Sequence, residues 1–280
     1  MSLRITATGD PAAPTIVLLH GLGVTSWMWD EQVERLSDRF HCVTVDLPGQ
    51  GGNHDLRWES LVESADRIVE SVGQAHVVGL SLGGYVALDL LARHPDIVQS
   101  VVVSGVSTAP LLPSPLRGAT ARGAALMLRS PLIARASAAL LRLPPDARAA
   151  YIADASRLSA GTIRDIYREV LDYHLPSGLD AVADRLLAVA GDGEVRSVRR
   201  GLADFAALGA TAACVPRAGH VWVAQHPELF ARTVADWVGR RSVPAELVPV
   251  PSASRTTGST IRHRPRAGGA ADHPGASTNA

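Results

Sequence analysis

Short apolar runs rich in β-branched residues recur along the chain: residues 15–19 (TIVLL), 41–45 (HCVTV), 76–80 (HVVGL), 98–103 (VQSVVV), 186–190 (LLAVA) and 212–215 (AACV). Runs that are apolar at nearly every position predict strands buried on both faces, and therefore a parallel sheet. Between them lie segments 27–37, 58–72, 82–93, 196–208 and 227–238, in which apolar residues return with the helical period. Strands alternating with amphipathic helices predict right-handed crossovers and an α/β fold with a doubly wound, mostly parallel sheet. A first short strand is expected at residues 3–7, pairing antiparallel with 15–19 across the turn Gly9-Asp10-Pro11.

One interval breaks the rhythm. Residues 104–185 hold no strand-like run; they are rich in Ala, Leu and Arg and interrupted by Pro113, Pro115, Pro131, Pro144 and Pro145. So long a structureless loop inside a compact domain is improbable, so the interval predicts a helical lid over the sheet edge. The expected organisation is a core of residues 1–106 and 181–239, a helical lid insertion at 107–180, and a tail at 240–280. No Phe, Trp or Tyr follows Trp237, and the last residues are Pro, Gly, Ser, Thr, Ala and Arg. Such a composition cannot offset its ordering entropy, so the tail is expected to be disordered.

Charge narrows the function classes. All 27 basic residues are arginine, and six of them fall after Gly239 together with only two of the 27 acids. The body is therefore mildly acidic, which argues against nucleic-acid binding. Without lysine there is no Schiff base, pyridoxal-phosphate site or Walker A loop. Two cysteines, Cys42 and Cys214, form neither a disulfide framework nor a zinc pair. No signal peptide is apparent and no apolar run approaches the ~20 residues needed to cross a bilayer. A cytoplasmic protein acting on a small molecule is expected, with no membrane partner, no cofactor and no metal.

The candidate chemistry centres on Gly79-Leu80-Ser81-Leu82-Gly83. The string alone is weak in a chain with 25 glycines, and an ordinary helix-capping serine could stand in such a turn. Its context is sharper, because it follows the run AHVVGL and opens the helical segment LGGYVALDLLARH. A nucleophile on a tight strand-to-helix turn needs small flanking residues, and the helix N-terminus offers free amides to a developing negative charge. Among the ten histidines, His220 alone follows the last strand and stands behind a glycine (Ala218-Gly219-His220), where an imidazole base could reach that serine.

With LLHGLG after the second strand, DLPGQG after the next, GLSLGG at the elbow, AGDGE after a late strand and AGH before the last helix, residues 3–237 resemble the α/β-hydrolase superfamily. The resemblance implies a nucleophile–acid–histidine order of Ser81, then Glu194 or Asp192, then His220. Family spacing after Gly191 favours Glu194; Asp192 is the commoner residue type and remains the alternative. The resemblance also implies that the amides of Leu22 and Leu82 form an oxyanion hole, with His20 supporting that loop. Gln50 departs from the usual pattern after the third strand. A serine nucleophile argues against the branches that use a carboxylate, the epoxide hydrolases and haloalkane dehalogenases.

Trp27, Met28, Trp29 and Tyr85 are expected to pack the core; Tyr151, Tyr167 and Tyr173 could line a pocket under the lid, although core packing is the commoner use. The resulting expectation is a serine hydrolase cleaving a carboxylic ester, thioester or lactone of a small, largely apolar substrate. The same triad could serve C–C bond hydrolysis or perhydrolysis, and a non-catalytic ligand receptor on the same fold is the rival of another class.

Overall fold

The computed structural model describes residues 3–252 apart from 142 and 144 and the side chain of 146. It contains one eight-stranded sheet in the order β1-β3-β2-β4-β5-β6-β7-β8. The strands are β1 (Ile5–Thr8), β2 (Thr15–Leu19), β3 (His41–Val45), β4 (Ala75–Leu80), β5 (Val98–Ser104), β6 (Leu186–Gly191), β7 (Thr211–Val215) and β8 (Val248–Pro249). Strands β3 to β7 are parallel with β2, while β1 and β8 run antiparallel at the two edges. The helices are α1 (Asp30–Leu36), α2 (Leu61–Ser71), α3 (Leu82–Arg93), α4 (Ser114–Met127), α5 (Pro131–Leu140), α6 (Pro145–Arg157), α7 (Ala160–Leu171), α8 (Arg196–Leu208), α9 (Trp222–Gln225) and α10 (Pro227–Arg240).

Period-two alternation along each strand divides the core between the two faces of the sheet. Val17 and Leu19 pack with α2, α3 and α8 through Ile68, Val86 and Phe205. Ile16 and Leu18 face the other way, onto Trp29, Leu36, Phe230 and Trp237 beside α1 and α10. Trp29 and Trp237 are thus core residues, as the apolar pattern suggests. The strand path matters for function: the chain moves from β2 outward to β3, then returns to place β4 on the other side of β2. Crevices at the carboxyl ends of the strands where such a path reverses are where open α/β sheets bind ligands.

Two expectations are corrected. The first strand pairs with β3, Ile5 opposite Val45 and Thr8 opposite Cys42, rather than with β2. Both edges of β2 are occupied by parallel neighbours, so the free edge left to β1 is that of β3. The tail is also ordered at its start. Leu247 is buried, Val248 and Pro249 pair with Cys214 and Ala213, and the Val250 amide donates to the Ala212 carbonyl at 2.8 Å. One leucine and an open sheet edge suffice here without an aromatic anchor; the part of the expected tail from 253 to 280 lies outside the described residues.

Between β5 and β6 the described residues form helices α4–α7, a 3₁₀ segment Leu179–Arg185 and no strand. α4 packs on α7, and α5 on α6. Glu169 on α7 accepts hydrogen bonds from the Trp58 indole at 2.9 Å and the Leu61 amide at 3.1 Å, tying the insertion to the start of α2.

Candidate active site

Ser81 stands between β4 and α3 with φ 54° and ψ −115°. A non-glycine residue at positive φ costs of order 1–3 kcal/mol and persists only where its surroundings over-determine it. They do: the Ser81 amide donates to the Ser104 carbonyl at 2.8 Å, and the Gly83 amide to the His20 carbonyl at 3.0 Å. The flanking glycines are a steric requirement, since a Cβ on Gly79 would collide with the Gly83 carbonyl and one on Gly83 with that of Leu19. Ser81 is therefore projected off the carboxyl end of β4, with the positive end of α3 directly behind it.

The loop after β2 lies alongside. His20 is fully buried, with Nδ1 2.7 Å from the Gly21 carbonyl and Nε2 2.9 Å from the Leu47 amide. An amide can only donate, so Nε2 accepts and Nδ1 carries the proton. Burial pushes the His20 pKa down, which keeps this neutral form. The bond to the Gly21 carbonyl fixes the peptide plane whose other end is the Leu22 N–H. The next amide, Gly23, donates to Gln50 Oε1 at 3.1 Å. Among the described residues neither the Leu22 nor the Leu82 amide has a protein acceptor, and both residues line the cavity with Ser81.

His220 and Glu194 meet on the other flank. His220 Nδ1 lies 2.7 Å from Glu194 Oε1, and the Glu194 side chain is almost fully buried while a third of the imidazole is exposed. Asp192 does different work: its carboxylate accepts from the amides of Arg217 at 2.8 Å and Ala218 at 3.2 Å, bracing the turn that carries His220. Of the two candidate acids, the structure brings Glu194 to the ring and directs Asp192 to the backbone. Ser81 Oγ forms no direct bond to the ring; both residues open onto one cavity, and such contacts tighten when substrate binds.

Several site residues carry no signal in the local sequence. Gly105, after β5 at φ 71°, underlies the pair; a Cβ there would stand 2.7 Å from His220 Cε1 and 3.3 Å from Glu194 Oε1. Gln225 Oε1 accepts from the Gly219 amide at 2.8 Å, and the buried Trp222 indole donates to Ser104 Oγ at 2.8 Å. The first closes the histidine loop onto α9, and the second holds it against β5. Gly105 and Ser104 lie more than a hundred residues from the histidine loop in sequence, so only spatial proximity reveals their part.

The cavity measures ≈ 890 Å³, within the range of small-molecule sites. Leu128, Leu141, Tyr151, Leu158 and Ile166 of the insertion line one side; Ser197, Arg217 and Gln225 form a polar edge near His220. Tyr85 and Tyr167 also face it, whereas Tyr173 is buried in the core against Tyr85. Trp27 donates to Asp154 on α6 at 2.6 Å, joining core to insertion rather than filling the core.

Fold and site together define a hydrolase architecture, and sequence comparison agrees. The chain belongs to the α/β-hydrolase family, whose model (Alpha/beta hydrolase family) matches residues 16–233. The pimeloyl-[acyl-carrier protein] methyl ester esterase of Nitrosomonas europaea is 41% identical over 103 residues, covering 36% of this chain and 40% of that protein. The same-named protein of Vibrio vulnificus (strain YJ016) is 43% identical over 90 residues, covering 32% and 35%. The matched stretches thus span two fifths or less of these curated relatives. Among solved structures, a thermophilic esterase from Thermogutta terrifontis superposes with TM-score 0.70 at 21% identity, over 84% of this chain and 92% of that one. The enol-lactonase from Burkholderia xenovorans LB400 gives 0.68 at 22%, over 84% and 96%. At these identities the likeness is one of fold.

Proposed function

We propose that the protein is a serine hydrolase that cleaves a carboxylic ester of a small, largely apolar acyl group through an acyl-enzyme on Ser81. The observation that carries this reading is the Glu194–His220 pair at 2.7 Å, opening onto the same cavity as a serine held at φ 54°. Oγ of Ser81 attacks the ester carbonyl carbon while His220 Nε2 takes its proton, and Glu194 stabilises the imidazolium through Nδ1–H. The carbonyl oxygen becomes an oxyanion, which the Leu22 and Leu82 amides receive; one such donor is worth ~10²–10³ in turnover in comparable enzymes. The tetrahedral intermediate collapses, and the alkoxide leaves with the proton from Nε2. Water then attacks the acyl-enzyme, gives a proton to His220, and releases the acid as the proton returns to Ser81.

The apolar wall of the insertion suits the acyl chain, and the polar edge at Ser197, Arg217 and Gln225 suits the alcohol side and entering water. Relatives named as methyl ester esterases support an ester over other acyl donors. A panel of p-nitrophenyl esters of increasing acyl length tests the reading. Turnover should rise from acetate to medium chains and fall once the chain outgrows the cavity. No hydrolysis of any member, with tight binding of the acids themselves, would favour a receptor instead.

A further inference from the structure

Helix α5 (PLIARASAAL) is apolar except at Arg135 and Ser137. Its inner positions Ala134 and Ala138 are buried against α6, yet its outer positions Leu132, Ala136, Ala139 and Leu140 are exposed, Leu132 at 72% and Leu140 at 84%. A surface helix ordinarily turns charged and polar residues outward, so outward leucines on two sides of Arg135 call for a cover. The neighbouring α4 adds Leu126, 78% exposed, and Met127. From residue 97 to residue 145 the chain contains five arginines and no acid. Arg117 is paired with Asp172; Arg122, Arg129 and Arg135 are exposed and meet no carboxylate among the described residues.

We propose that the α4–α5 face seats the enzyme on a bilayer containing anionic lipid, its leucines in the acyl boundary and its arginines at the phosphates. Exposed apolar side chains interspersed with arginine are the pattern of interfacial helices. A symmetric contact with a second copy would set these arginines against each other with no acid on either helix to offset them. A folded protein partner is usually met by aromatic anchors and hydrogen-bonding side chains, and the exposed face of α5 offers methyl groups and one guanidinium. The face is also continuous with the site. Leu140 lines the cavity that contains Ser81, so an apolar ester dissolved in lipid could pass over that rim without crossing water. This departs from the sequence expectation of no membrane partner, which rested on the lack of a bilayer-spanning run; no described helix is long and apolar enough to span one. The substrate's origin in lipid rests on the ester reading, while seating on the membrane does not.

The test is co-sedimentation with vesicles of phosphatidylcholine alone and of phosphatidylcholine with phosphatidylglycerol in equal parts. Wild type should bind the mixed vesicles, more weakly as salt is raised. Leu126→Ser with Leu132→Ser should lower the partition coefficient tenfold or more, and so should Arg122→Glu with Arg135→Glu. None of these four residues lines the cavity, so p-nitrophenyl acetate turnover in vesicle-free buffer and the thermal melt should stay within twofold and a few degrees of wild type. Wild type that ignores both vesicles, or variants that bind as wild type does, would overturn the proposal. So would capture on polyglutamate resin without vesicle binding, which points to an acidic protein. A dimer dissolved by the leucine pair would assign the face to a second copy and overturn it equally. Vesicle binding without ester turnover would strike the proposed function alone.

Discussion

Gly105→Ala changes one methyl group and should disable the site while leaving the fold standing. The residue sits at φ 71°, where an L side chain is strained by about 1–2 kcal/mol. Its new Cβ would lie 2.7 Å from His220 Cε1 and 3.0 Å from Nδ1. Restoring ordinary contact requires the ring to retreat by roughly 0.7 Å, and a misplacement of about 1 Å in a catalytic constellation can cost ~10²-fold. Retreat also strains the 2.7 Å bond to Glu194, so the two effects compound. Steady-state hydrolysis of a p-nitrophenyl ester should therefore show kcat down by about a hundredfold, with KM changed less because the new methyl group meets His220 and Glu194 and not the insertion residues that line the cavity. A urea melt should place the variant about 1–2 kcal/mol below wild type. A folded variant with kcat within twofold of wild type would refute the reasoning, since the histidine would not need the position it occupies.

Three further outcomes follow from the same geometry. Glu194→Gln should lose about 10⁴ in kcat, whereas Asp192→Asn, which leaves an oxygen for one of the two amides, should lose less than about tenfold; the reverse ranking would transfer the acid role. Burial raises the Asp89 pKa to about 6, Arg93 opposing and Glu169 and Asp66 adding to the rise. The folded state therefore holds this proton longer than the unfolded chain, and stability falls as pH climbs from about 4 to about 6. Asp89→Asn should then gain about 2–3 kcal/mol at pH 8, a gain that vanishes below about pH 4, in denaturant melts at the two pH values; equal gains at both would show that the charge is not the cause. Leu247→Ala should cost at least about 2 kcal/mol in a thermal or urea melt, and a loss below about 0.5 kcal/mol would mean that the strand after α10 adds nothing to the fold.

The sheet and its helices were legible because consecutive apolar positions leave no face for solvent, which fixes both strand location and doubly wound packing. The elbow and the histidine were legible for a related reason: each sits where a strand pattern stops, and small residues mark the close approach. What sequence could not show depends on which edges and loops meet. The Gly9-Asp10-Pro11 turn resembles a hairpin, yet β1 goes to β3 because β2 has no open edge. Gly105 reads as one more glycine until the imidazole is seen against its Cα. Gln50, singled out only as a departure from pattern, turns out to hold the Gly23 amide next to Leu22. The absence of aromatic residues after Trp237 was too coarse a measure of order, because an unpaired edge of β7 could capture Val248 and Pro249 once Leu247 was buried.

The central claim is that Ser81 is the nucleophile, and active-site labelling tests it most directly. Wild-type protein treated with a fluorophosphonate probe should gain one adduct by intact mass, with the modified peptide containing Ser81. Ser81→Ala should gain none, and His220→Ala should label far more slowly, since the serine then lacks its base. Labelling that persists in Ser81→Ala, or an adduct mapped to Ser104 or Ser107 behind the elbow, would contradict the account.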